Sequence, residues 1–142
     1  MKNKLIYSNY DRETGISFIK IRNKYGTFEA RAKLCEEDRD IESRFLGCEI
    51  ALCKAEIKTF KTVLKDLDIQ IHTLRNFEKT LKSLKEYNKD SLENRRLRRR
   101  IHELEAEKAD IKCKIILIED YCKNATNNRR EFLKKINHGE NC

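Results

Sequence analysis

The chain of 142 residues carries 32 lysines and arginines against 24 acidic residues, a net charge of +8, with charged and hydrophobic residues each at 39%. The sign excludes a mimic of nucleic acid and favours polyanions or acidic protein surfaces as partners, and the balance suits long two-faced helices better than a compact globule. No stretch approaches 18 consecutive apolar residues, so no membrane-spanning helix and no membrane partner is expected.

The first 35 residues alternate like strands. "KLIYSNY" (4–10) runs into "DRETG", a turn ending in Gly15. "ISFIKIR" (16–22) puts Ile16 and Phe18 on one face and Ile19 and Ile21 on the other. "NKYG" is a second turn signal, and "TFEARAKL" (27–34) alternates again. The spacing predicts a three-stranded antiparallel meander over residues 1–40. So small a sheet is not stable alone in water and has to pack on another element.

"CEEDRDIESRF" (35–45) opens a long helix, expected within 41–88 and running to Tyr87. Asp38 or Asp40 is the expected cap, with acids suited to the first turn. The apolar seam runs Leu46, Ile50, Cys53, Ile57, Phe60, Leu64, Leu67, Ile71, Leu74 in steps of four and three, the heptad rhythm. It then slips to Phe77, Leu81 and Leu84. Phe45, Cys48, Ala51, Leu52 and Ala55 add apolar surface off the seam. Gly47, Ala51 and Ala55 lie four apart, a flat stripe where another backbone can approach. This stretch is therefore expected to be buried on two sides, by a partner helix and by the sheet.

After "YNKDS" a second helix is expected over 91–137, with Asp90 and Glu93 as a capping box. Its seam is Leu97, Ile101, Leu104, Lys108, Ile111, Ile115, Ile118, Cys122, Ala125, Arg129, Phe132, Ile136, and Gly139 is a plausible stop. Two arms of nearly equal length about a polar turn predict an antiparallel coiled-coil hairpin. The fold class is α+β, mainly α: one domain in which the meander packs on the hairpin. "YNKDS" holds neither glycine nor proline, so the rival is one continuous helix that dimerises. The hairpin register suggested by large-to-small matching pairs Phe60 with Cys122 and Ile57 with Ala125. Ile116 and Leu117 point away from the seam and need cover from the sheet, a second copy or a target; a homodimer is preferred.

The charge is not spread evenly. "NRRLRRRIHELEAEK" (94–108) places Arg95, Arg96, Arg98, Arg99 and Arg100 off the seam at the start of the second helix. Cations there oppose the helix dipole, and the i,i+4 pairs Arg95/Arg99 and Arg96/Arg100 repel. Each penalty is on the order of a few tenths of a kcal/mol, which a long packed seam absorbs. Lys79, Lys82, Lys85 and Lys89 lie close by, and residues 79–100 hold six of the eight net charges. The candidate binding residues are Arg95, Arg96, Arg98, Arg99, Arg100, Lys82, Lys85 and Lys89, whose guanidinium forks and ammonium groups suit phosphates and carboxylates. The bland alternative is a solvated helix face. With only Phe77 and Tyr87 nearby, base stacking at the tip is not expected.

Nothing in the chain announces catalysis. There is no phosphate-cradling glycine loop, HExxH or GxSxG, and His72, His102 and His138 are far apart in sequence. No enzyme activity and no cofactor are expected. Glu36, Glu37, Asp38 and Asp40 could hold a cation, but a helix-capping acidic turn is the expected reading. The cysteines, Cys35, Cys48, Cys53, Cys113, Cys122 and Cys142, include no CxxC pair. "MKNKLIYSNY" lacks the apolar core of a secretion signal, so reduced thiols in a cytoplasm are expected. A zinc site would need Cys35, His138 and Cys142 to converge without the short ligand spacings of structural sites.

"YSNYDRETGIS" followed by "NKYGTFEARAKLCEEDRDIESRFLGCEIALCKAEIK" and a charged two-helix stretch resembles small proteins encoded by phages and prophages of low-GC Gram-positive bacteria. The resemblance covers roughly residues 7–136. Its most specific parts are "YG-x-F" at 25–28, "EEDRDIES" at 36–43 and "GCEIALCKAEIK". It implies expression in a host bacterial cytoplasm and no assigned catalytic residues. Small accessory phage proteins often antagonise host machinery, CRISPR nucleases included. The expected function is thus an inhibitor that binds a host protein or nucleoprotein. The alternatives are a basic coiled-coil nucleic-acid-binding protein and a structural scaffold.

Overall fold

The structure, a computed structural model, describes residues 2–35, 39 and 42–140, with side chains described as far as Ile136. Three strands, β1 (Lys4–Asp11), β2 (Ile16–Asn23) and β3 (Gly26–Lys33), precede two long helices, α1 (Arg44–Lys82) and α2 (Leu92–Glu140). The sheet is an antiparallel meander in the order β1-β2-β3. The helices form an antiparallel hairpin, not a continuous rod. The chain divides into two compact units, Met1–Thr59 with Ile115–Cys142, and Phe60–Lys114.

In the first unit the turns follow from residue chemistry. The Asp11 carboxylate accepts the Glu13 N–H at 3.0 Å, and the Asn23 side-chain carbonyl accepts the Tyr25 N–H at 2.9 Å. Each turn then closes on a glycine at positive φ, Gly15 at 70° and Gly26 at 130°, where L side chains are strained. The register shifts between Leu5 and Tyr7, making a bulge at Ile6.

The inner face of the sheet carries Ile19, Ile21, Ala30 and Ala32, packed on Ala51 and Ala55 of α1. Ala51 and Ala55 are fully buried, and Gly47 lies against Ser17: an added Cβ would overlap the Ser17 hydroxyl and stand 3.1 Å from its Cβ. The stripe of small residues is the contact that lets the β2 backbone reach the helix. Polar side chains close the other end of this contact. The Asn23 amide donates to Asn3 at 3.1 Å and to Thr59 at 3.2 Å. Thr59, fully buried, donates to the Ala55 carbonyl at 3.1 Å. Asn3 in turn donates to Glu56 at 3.1 Å.

Still within this unit, Leu46 and Ala125 form a small core joined by Ile50 and Leu133. Tyr121 donates to Glu49. Burial, and then the nearby Cys122, push the Cys53 thiol up to about 11. Cys122 thus lies by Cys53 and Ala125 by Leu46 and Ile50. The register is one heptad away from the expected pairing of Cys122 with Phe60 and Ala125 with Ile57. A heptad pattern repeats every seven residues, so size matching alone did not separate the two registers.

In the second unit the buried side chains are Phe60, Val63, Leu67 and Ile71 of α1 and Ile101, Leu104 and Ile111 of α2. Ion pairs Asp68–Lys108 and Arg75–Glu105 join the arms. α1 stops at Lys82, short of Tyr87. Ser83 donates its hydroxyl to the Thr80 carbonyl at 2.6 Å, and the Ser83, Leu84 and Tyr87 amides make i→i−3 bonds, so the helix tightens and ends. Asn88 organises the turn. Its side chain accepts the Asp90 N–H at 3.0 Å, and its carbonyl accepts the Asn94 amide at 2.6 Å.

Both caps differ from expectation. Ser43 caps α1, its hydroxyl accepting the Leu46 N–H at 3.2 Å; Asp38 and Asp40 lie outside the described residues. Ser91 caps α2, accepting the Asn94 N–H at 3.2 Å, in place of an Asp90–Glu93 box. A hydroxyl directly before the first helical residue reaches the free N–H groups of the first turn. Five apolar side chains expected in packing are exposed: Phe45, Phe77, Leu84, Phe132 and Ile136. Ile116 and Leu117 are exposed as expected of residues off the seam, and the sheet does not cover them.

Candidate functional site at the hairpin tip

The tip belongs wholly to the second unit: the last turns of α1, residues 83–91 and the first turns of α2. Leu97 and Ile101 turn inward on the heptad spacing, which leaves the arginines between them on the outside. Arg95, Arg96, Arg99 and Arg100 are exposed and Arg98 is half-buried. Lys82, Lys85 and Lys89 are also exposed. All eight expected residues therefore fall in one unit about one turn of chain.

They are not electrostatically equal. Arg99 and Arg100 share the Glu103 carboxylate, at 3.4 and 3.5 Å. Lys82 pairs with Glu78 at 3.5 Å. Arg98 faces a shallow cleft of about 220 Å³ lined also by Arg75, Glu78, Lys82, His102 and Glu105. Glu105 accepts from Arg75 and lies 3.9 Å from His102. Lys85, Lys89, Arg95 and Arg96 make no ion pair among the described residues. These pairs are exposed and screened, so they hold the cations weakly. Two of them share one acceptor. An incoming phosphate or carboxylate would meet four unpaired cations and three loosely held ones, Lys82, Arg99 and Arg100.

Glu103 and Arg75 were not anticipated as parts of this surface. The i,i+4 spacing of Arg99 and Glu103 was visible in the sequence; the cross-hairpin Arg75–Glu105 pair required the register. Of the zinc triad, Cys35 is exposed, and Cys142 and the His138 side chain lie outside the described residues. Among the described residues no group of three metal-ligating side chains converges, and no helix is long and apolar enough to cross a membrane.

No protein-family model, curated protein or solved structure matches this chain.

Proposed function

We propose that the protein acts by binding, as a phage accessory protein that inhibits a nucleic-acid-handling or defence complex in the cytoplasm of a bacterial host. The tip supplies the contact, either to nucleic acid held by that complex or to an acidic groove. One observation carries this reading: seven of the eight arginines and lysines at the tip are exposed about a single turn, with too few carboxylates to neutralise them. The folding cost of such clustering is borne by the apolar seam, so the cluster is not there for the helix. The phage-like resemblance supports the inhibitory role.

Replacing Arg95, Arg96, Arg98, Arg99 and Arg100 by glutamine keeps helix-compatible side chains and removes five charges. The expected result is unchanged helicity with lost capture of the host target from lysate, and lost inhibition. Full capture by this variant would refute the role of the tip. Nuclease treatment of the lysate separates the two contacts. Capture that survives it is direct protein binding, and capture abolished by it is bridged by nucleic acid.

A further inference from the structure

The outer face of the sheet was not part of any expectation and is unlike an ordinary solvated face. Cross-strand pairing sets it out in rows. Lys4, Arg22 and Thr27 face one another, then Tyr7, Lys20 and Glu29, then Asn9, Phe18 and Arg31, then Asp11, Ile16 and Lys33. Tyr7 and Phe18 sit diagonally with ring centroids 5.8 Å apart. The Arg31 guanidinium lies over the Phe18 ring, 5.5 Å from its centroid. Tyr7 is 52% exposed, and Lys4, Arg22, Arg31 and Lys33 are exposed.

A diagonal aromatic pair stabilises a sheet by itself. The cations around it do not. Lys4 and Arg22 are directly opposed like charges, which a sheet disfavours. None of Lys4, Lys20, Arg22, Arg31 and Lys33 makes an ion pair among the described residues, and only Asp11 and Glu29 offset five positive charges on this face. A flat platform with a phenol ring and a guanidinium plane at its centre, rimmed by unpaired cations, matches one chemistry. Bases stack on aromatic rings and arginine planes, while cations track the backbone. A duplex hides the base faces that this platform would stack on.

We propose that this face binds single-stranded nucleic acid, stacking bases on Tyr7 and on the Arg31–Phe18 pair while Lys4, Lys20, Arg22 and Lys33 contact phosphates. The site belongs to the sheet-bearing unit and does not depend on the tip being a binding surface. Stacking on ring faces and contact with phosphates read no base edge, so the platform takes any sequence with unstacked bases.

The test measures binding of labelled oligo(dT) and oligo(U), each of about ten nucleotides, and of a duplex of equal length. The full chain is compared with Tyr7→Leu/Phe18→Leu and with the five-arginine glutamine variant of the tip. Leucine keeps apolar cover on the sheet and removes the π faces. The leucine variant is expected to bind single strands about tenfold more weakly or worse, with duplex binding and the unfolding midpoint unchanged. The same fold loss is expected when the leucine changes are made in the tip variant, so failure of the tip leaves this inference standing. Ultraviolet cross-linking of the unaltered protein to oligo(U) gives a readout independent of folding variants; adducts on peptides spanning 4–11 and 16–23 are expected. Equal affinity of a folded leucine variant, adducts confined to 79–100, or preference for polyglutamate over single strands would each overturn the proposal.

Discussion

Gly47→Ala tests the contact on which the sheet depends. On an unencumbered helix, alanine in place of glycine stabilises by about 1 kcal/mol. Here the new methyl would overlap the Ser17 hydroxyl and sit 3.1 Å from the Ser17 Cβ. Rotating Ser17 moves the hydroxyl but not the Cβ, and Ser17 is fully buried in β2. Relief therefore requires the strand to back away from α1, loosening Ile19 and Ile21 from Ala51 and Ala55. Overpacking of this kind costs about 1–3 kcal/mol and outweighs the helical gain. The expected net loss is up to about 2 kcal/mol, a fall of up to several degrees in Tm by calorimetry or circular dichroism. Ser17→Ala alone should be neutral or stabilising, because the Ser17 hydroxyl is buried without a hydrogen-bond partner. In the double variant part of the clash disappears, so the two changes should couple by about 1 kcal/mol. A Gly47→Ala protein that gains stability, with no coupling to Ser17, would refute this account of how sheet and helix meet.

Two further outcomes follow from the sheet-bearing unit. Cys53, held near 11 by burial and by Cys122, should resist alkylation at pH 8 while the exposed Cys35 and Cys113 react; rapid labelling of Cys53 in the folded protein, followed by mass spectrometry, would contradict the buried seam. Burial raises the Glu56 carboxyl above its ordinary value, against the lowering effect of its bond from Asn3. A carboxyl raised by folding destabilises the ionised native state at neutral pH, and this penalty fades as pH falls through the raised value. Glu56→Gln keeps an acceptor for Asn3, so it should raise Tm at pH 7 and lose that advantage toward pH 4. An advantage that grows on acidification would reverse the sign and reject the assignment.

The strands were legible because their signals are local: Asp11 and Asn23 fold back on the next two residues, and Gly15 and Gly26 take backbone angles that other residues resist. The stripe of Gly47, Ala51 and Ala55 was legible for a similar reason, since small residues every fourth position have few other uses on a helix. What failed was information carried by other parts of the chain. Apolar type alone does not bury a residue: Phe45 and Phe132 line an open groove and stay exposed. Past Ala125 the packed face follows Arg129 and Leu133 in steps of four, so Phe132 rotates outward as a straight helix drifts from the heptad. The caps were misplaced by one to a few residues because acids and serines compete there, and only geometry shows which oxygen reaches the free N–H groups. The basic tip was visible as composition, but not the sharing of Glu103 or the Arg75–Glu105 pair. The aromatic pair on the sheet was hidden because Tyr7 and Phe18 become neighbours only through the register that the first turn imposes, which sets Tyr7 opposite Lys20 and Asn9 opposite Phe18.

Polar residues at the seam show how one register is selected. Lys108 occupies a seam position in α2, where it is half-buried and meets the Asp68 carboxylate. Moved by one heptad to the register that matches Phe60 with Cys122, Lys108 would face Leu74, and Asp68 would face Lys114. The apolar layers would still be filled, because leucine and isoleucine recur every seven residues. The lysine would lose its counter-charge in a partly dry setting, however, and breaking such a pair costs more than a surface pair is worth. Apolar repetition thus drives the arms together, and the Asp68–Lys108 pair favours one register over the next. The residues that form the tip, and the separation of its free cations from those tied to Glu78 and Glu103, are consequences of that decision.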